Sequence, residues 1–180
     1  MPTPTEDPES GDLSHLGFAQ ERWHPPGAQV KLNALAAIAI AAAFPAAAQS
    51  ITDGDTLKQG GVTYRLWGID APEAKQVCPD GWPAGSLAAT RLQALTAGRS
   101  IVCQEKDRDR YGRIVAICRA SGEDLGAILV REGLAWAFTW YSVDYVDQQE
   151  EARIANRGVH AHDCAPAWEG RAQQRARGMQ

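Results

Sequence analysis

Residues 53–73 read DGDTLKQGGVTYRLWGIDAPE and gather three carboxylates of interest, Asp55, Asp70 and Glu73, around one arginine, Arg65. Leu57 and the run Val62 to Ile69 are strand-like, and Gly60-Gly61 between them is a turn signal, so two strands and a tight connection bring these groups near one another. The carboxylates are hard oxygen donors of the kind Ca²⁺ prefers, and the planar guanidinium of Arg65 suits a phosphate. DGDT alone is first a tight turn. It is not an EF-hand loop, because Leu57 and Lys58 stand where that loop needs an oxygen ligand and a glycine. In Asp70-Ala71-Pro72-Glu73 the proline biases Ala71 towards an extended conformation, which leaves its carbonyl free to face a cation beside Asp70. Simple alternation across a two-residue turn pairs Arg65 with Thr56 and puts Asp55 on the opposite face. A bulge or a longer turn is therefore required to unite Asp55 with Arg65.

Upstream, residues 1–29 are rich in Pro, Gly and charge and show no apolar period, so they read as disordered or as not native to the mature protein. Residues 30–48 read as an export signal: Lys31 precedes the apolar run LNALAAIAIAAAF, and Pro45 precedes Ala46-Ala47-Ala48, with cleavage after Ala48. The expected start of translation is then Val30. The run is shorter than the roughly 20 apolar residues of a membrane span, so no stable membrane anchor is expected. The chain carries a formal net charge of -4, but residues 1–48 hold five acids and two bases, leaving -1 on the remainder. A near-neutral domain lacks the global positive field of a protein that grips long nucleic acid, and any such attraction falls to local arginines.

All four cysteines, Cys78, Cys103, Cys118 and Cys164, follow the cleavage site, as suits a periplasmic or secreted protein with disulfides. Three pairings are open. Cys103 and Cys118 lie in strand-like runs, Ser100–Gln104 and Arg113–Arg119, joined by a polar turn; a cross-hairpin bridge there leaves Cys78 to Cys164. Pro83–Thr96 reads as a helix with Ala84, Ala88, Leu92 and Leu95 on one face. A second, short helix starts at Asp124 and stops at Gly133, and a third runs from Asp144 to Arg157 with Gly158 as its stop. Residues 161–180 read as a tail whose arginines, Arg171, Arg175 and Arg177, face solvent. His160-Ala161-His162-Asp163-Cys164 packs metal-binding residue types more closely than a structural zinc site does, and reads as a surface loop. The order of elements is an α+β plan.

RLWGIDAPE after DGDTL, then DRYGR at Asp109–Arg113 and the short helix DLGAILVREGLA, closely resembles the staphylococcal nuclease (thermonuclease) family over about Ile51 to Gly158, within a domain spanning 49–160. The resemblance implies a five-stranded OB-fold β-barrel with three flanking α-helices, a monomer that hydrolyses phosphodiesters of DNA and RNA with Ca²⁺. It makes Asp55, Asp70 and the Ala71 carbonyl the metal ligands, Glu73 the general base or water-positioning acid, and Arg65 and Arg113 the phosphate arginines. Tyr141 falls at a nucleotide-contacting tyrosine. Thr139 stands where the family has a neighbouring tyrosine, which turns attention to Trp140 or Trp136 for base stacking, with core packing as the competing role. The alternative to an endonuclease is a non-catalytic OB-fold module that binds nucleic acid or protein; it would have no need of Asp55, Arg65, Asp70, Glu73 and Arg113 together.

Overall fold

The computed structural model describes residues 49–178, and side chains as far as residue 172. The proposed leader, export signal and Val30 start lie outside the described residues, as do the side chains of Arg175 and Arg177. Strands β1 (Gln49–Asp53), β2 (Thr56–Gln59) and β3 (Val62–Leu66) precede a two-residue strand β4 (Ile69–Asp70) and helix α1 (Ala84–Thr96). Then come β5 (Ile101–Arg108), β6 (Ile114–Ala120), β7 (Glu123–Asp124), α2 (Leu125–Arg131), β8 (Trp136–Ala137), α3 (Val146–Ile154), a 3-10 turn at Gly158–His160 and α4 (Ala167–Gly178).

The main sheet runs β1-β2-β3-β6-β5, with β7 attached to β6, and a second small sheet pairs β4 with β8. β3 and β6 are parallel and the other ladders antiparallel. The α+β class matches expectation; the main sheet has six strands, and no backbone ladder among the described residues joins β1 to β5 to close a barrel. Amide side chains reach across instead: Gln49 Nε2 of β1 donates to the Arg99 carbonyl just ahead of β5 at 3.1 Å, and Gln59 Nε2 of β2 to that of Ile101 at the start of β5 at 3.4 Å. A fourth helix, α4, also exceeds the three expected.

Gly60 and Gly61 both adopt positive φ, 58° and 81°, the geometry of a two-residue hairpin whose twist matches its strands. The resulting register pairs Thr56 with Arg65, as alternation requires. Leu57, Leu66, Ile69, Leu92, Leu125 and Leu129 form the centre of the core between sheet, α1 and α2. Each such leucine buried contributes about 1.5–3 kcal/mol. Asp124 caps α2 by accepting from Ala127 N at 3.1 Å, and it also accepts from the Tyr145 hydroxyl at 3.2 Å, which ties the approach to α3 onto α2.

Cys103 faces Cys118 in register across β5 and β6, and the two are bonded. The second disulfide joins Cys78 to Cys164 inside a smaller core of Ala84, Trp136, Val159 and Ala167, with Trp82 and Trp168 packed on it. The segment after the 3-10 turn therefore packs against the body through Cys164 and Ala167 and continues as α4, where a tail was expected. His162 stacks on Trp82 at 4.5 Å between ring centroids, and its Nδ1 lies 2.5 Å from Asp80 Oδ2. It thus closes the loop around the disulfide, and among the described residues no zinc cluster forms.

Candidate active site

Asp55 stands in the turn between β1 and β2. Strand alternation does not set its face there, because β2 begins only at Thr56, and the β1–β2 register slips between Ile51 and Asp53. The departure from alternation thus lies one hairpin earlier than the Gly60-Gly61 turn. Gly54 makes this possible by close approach: a Cβ there would sit 2.6 Å from Ala88 Cβ and 2.7 Å from Ala71 Cβ. With the turn pressed onto α1 in this way, Ala71 N donates to Asp55 Oδ2 at 2.9 Å, and Leu66 N donates to the Asp55 carbonyl at 2.8 Å.

β4 delivers Asp70 by pairing it with Trp136 of β8. Asp55 and Asp70 are only 2% and 1% exposed, and one guanidinium spans them: Arg65 Nη1 bonds Asp55 Oδ1, and Nη2 bonds Asp70 Oδ1 at 2.6 Å. The Thr56 hydroxyl donates to the same Asp55 oxygen at 3.1 Å. Burial pushes the Asp55 carboxyl up to about 7, outweighing the opposing pull of Arg65. Burial likewise works against the charge on Arg65, but Asp55 and Asp70 outweigh it and hold the guanidinium protonated beyond its usual range.

Glu73 follows Pro72 on an irregular loop whose backbone is fixed by α1. Gly85 lies so close that a Cβ would fall 1.8 Å from the Glu73 carbonyl oxygen, and Gln76 closes the loop by donating from its N to that carbonyl at 2.7 Å. The Glu73 side chain meets a residue that the sequence reading turned towards solvent. Arg171 of α4 places Nη1 2.6 Å from Glu73 Oε1 and Nη2 2.7 Å from Asp70 Oδ2. Burial disfavours its charge, but the bonds to Asp70 and Glu73 raise its pKa above the usual value. The signal that could have found it is Pro166 ahead of a run of good helix formers, interrupted by Gly170.

Arg113 stands at the edge of this network. Its Nε pairs with Asp109 Oδ2 at 2.6 Å across the Asp109–Arg113 turn, and its Nη1 lies 3.4 Å from Thr56 Oγ1, which itself bonds Asp55. Tyr141 and Trp140 are 67% and 77% exposed, whereas Trp136 is buried at 6%, which assigns Trp136 to packing and leaves the other two as open aromatic faces. Phe138 joins Trp140, Tyr141 and Trp168 at centroid distances of 5.3, 5.2 and 5.6 Å. Because β8 pairs with β4, this aromatic group begins beside Asp70.

Asp55 and Asp70 offer the hard oxygen atoms that a divalent cation takes, as two buried carboxylates held side by side by one guanidinium. Their oxygens are shared among Arg65, Arg171, Thr56 and the Ala71 amide, and no cage of three His, Cys, Asp or Glu groups is formed among the described residues. Arg65 counters both carboxylates and Arg171 counters Asp70, so a bound cation would share or displace these guanidinium groups.

Residues 63–179 match the family described as Staphylococcal nuclease homologue. That span omits DGDTL and includes α4, so it runs past the Gly158 limit of the sequence resemblance. The chain is 34% identical over 126 residues to an uncharacterised endonuclease of Escherichia coli, covering 66% of this chain and 78% of that one. It is 33% identical over 126 residues to a micrococcal nuclease of Shigella flexneri, covering 61% and 69%. Over 92 residues, 48% of each chain, it is 42% identical to the succinoglycan biosynthesis protein ExoI of Rhizobium meliloti.

Proposed function

The chain belongs to the staphylococcal nuclease family, and from that premise we propose that it is an exported, calcium-dependent endonuclease that hydrolyses DNA and RNA with little sequence specificity. The observation that carries the reading is the convergence of Asp55, Asp70 and Glu73 on Arg65 and Arg171, with Arg113 one hydroxyl away. We read the sheet as an OB-type barrel whose closing ladder is replaced by the Gln49 and Gln59 side-chain bonds. Two disulfides agree with an oxidising compartment, and no helix among the described residues is long and apolar enough to cross a membrane.

Asp55, Asp70 and the Ala71 carbonyl would hold Ca²⁺, which when bound supplies Lewis-acid stabilisation of charge on a phosphate oxygen. Glu73 takes a proton from the attacking water as the new oxygen–phosphorus bond forms and the ester bond to the leaving oxygen breaks, a role worth typically about 10²- to 10⁴-fold. We assign Arg65 and Arg113 to the phosphate, where their positive charge would stabilise the dianionic pentacoordinate transition state. Trp140 and Tyr141 offer faces on which any base stacks, at about 1–3 kcal/mol each, so contacts to phosphate and ring faces give no sequence code.

The test is to incubate the oxidised protein with plasmid DNA and with RNA, in Ca²⁺ and in chelator. Degradation of both that needs Ca²⁺ and falls at least 10²-fold in Glu73→Ala and Arg113→Ala supports the reading. Equal cleavage by wild type and variants, or tight binding with no cleavage as a non-catalytic OB module would show, overturns it.

A further inference from the structure

We propose that Arg171 is a positioning residue of the active site, holding the Glu73 carboxylate at a fixed distance from Asp70. This rests on the reading of Glu73 as the base. The backbone at Glu73 is already pinned by Gly85 and Gln76, but its side chain is 45% exposed and keeps three rotatable bonds. Among the described residues, the side chain that bonds its carboxylate is Arg171. One guanidinium contributes one nitrogen to Glu73 and the other to Asp70, at 2.6 and 2.7 Å. A planar fork of fixed width thereby sets the spacing of two like charges and relieves their repulsion. A lysine is a point charge and cannot impose that spacing.

α4 is built to carry such a residue. The Cys78–Cys164 disulfide anchors the chain just ahead of it, Gln76 Nε2 donates to the Ala165 carbonyl at 2.8 Å, and Ala167 is fully buried. Trp168, three residues before Arg171 and so on the same face of the helix, packs on Trp136 at 6.1 Å and on Phe138 at 5.6 Å. Trp136 is also the ladder partner of Asp70. The same strand pair therefore supports the carboxylate and the helix whose arginine reaches it. Gln76 links the base loop to that helix directly.

The experiment measures kcat and KM on a short oligonucleotide for wild type, Arg171→Gln, Arg171→Lys, Glu73→Gln and the double variant Glu73→Gln with Arg171→Gln, with thermal unfolding of each. A loosened base implies a fall in kcat of about 10- to 100-fold in Arg171→Gln, with KM within about threefold. Arg171→Lys falls between that variant and wild type; Arg171→Gln lowers the unfolding midpoint equally in both Glu73 backgrounds, because Asp70 loses a partner, but has no further effect on kcat once Glu73 is Gln. A purely structural arginine would instead impose the same loss of kcat in both backgrounds, which overturns the proposal. An unchanged kcat with a raised KM makes Arg171 a substrate contact, and a raised kcat makes it a brake; either result also overturns it. Loss of activity in Glu73→Gln beside a harmless Arg171→Gln sinks the positioning role alone, whereas a fully active Glu73→Gln sinks the reading of Glu73 and the proposal with it.

Discussion

Replacing Gly85 by alanine tests how the backbone sets the active site. In an exposed helix, Gly→Ala stabilises by about 1 kcal/mol. Here the added Cβ would fall 1.8 Å from the Glu73 carbonyl oxygen and 2.7 Å from its carbon, while ordinary contact begins at 3.4 Å. One side must retreat by about 1.6 Å, the difference between those distances. Neither is a flexible side chain, so the movement falls on the α1 backbone or on the Pro72–Glu73 loop. It also opens the bond from Gly85 N to the Gln76 carbonyl, now 3.0 Å. Overpacking of this kind costs about 1–3 kcal/mol, which reverses the sign given by helix propensity. A displacement of about 1 Å at a catalytic group lowers rate on the order of 10²-fold. The expected result for Gly85→Ala is a kcat reduced about 10²-fold, KM little changed, and an unfolding midpoint lowered rather than raised. Initial rates of oligonucleotide cleavage and a circular-dichroism melt read both quantities. A variant that melts higher than wild type and cleaves at full rate refutes the reasoning.

Stability of the metal-free protein should depend on Asp55. The unfolded chain releases this proton near pH 4 while the folded protein keeps it to about 7, so the unfolded chain binds fewer protons in that interval and stability falls as pH rises through it. Asp55→Asn removes the component: its urea midpoint should gain on wild type between pH 4 and 7, and parallel midpoints would contradict the assignment. Removing the hairpin disulfide with Cys103→Ala and Cys118→Ala, whose sequence separation is 15, should cost about 3 kcal/mol in chemical denaturation; a loss below about 0.5 kcal/mol would show that the reduced chain already holds the hairpin. Trp140→Ala should weaken binding of single-stranded oligonucleotide by about 1–3 kcal/mol at unchanged melting temperature. Trp136→Ala should instead destabilise the fold by about 3–5 kcal/mol, and the opposite pattern in the two variants would reverse their roles.

The parts legible in the sequence were those set by short-range rules. Gly60-Gly61 determined the β2–β3 register, and the leucine period located α1 to its first residue or so. The Cys103–Cys118 bridge followed from a hairpin whose strands are both visible in the pattern. What was not legible depends on contacts that no local period encodes. Alternation was right about Thr56 and Arg65, yet wrong about the face of Asp55, because Asp55 lies in the turn ahead of β2, where Gly54 is pressed onto α1. No pattern in the sequence marks the side-chain amides of Gln49 and Gln59 that reach the Arg99 and Ile101 carbonyls where no ladder joins β1 to β5.

Arg171 shows why the site was harder to read than the fold. Its partners lie 98 and 101 residues away, on a loop and a two-residue strand. An isolated segment as polar as α4 has little helical stability of its own, since a helix of its length is marginal without packing. Its anchors are Ala167 and Trp168, which are meaningful only once Cys78–Cys164 and Trp136 have built the smaller core beneath them. Burying Asp70 at 1% exposure demands compensating charge. β3 supplies Arg65 on one side, and the disulfide-anchored helix supplies Arg171 on the other. The main core therefore fixes the two buried carboxylates, while the smaller core fixes the more exposed acid to which we assign the proton transfer. The chemistry of Glu73 is thus tied to the part of the fold that the sequence pattern marks least.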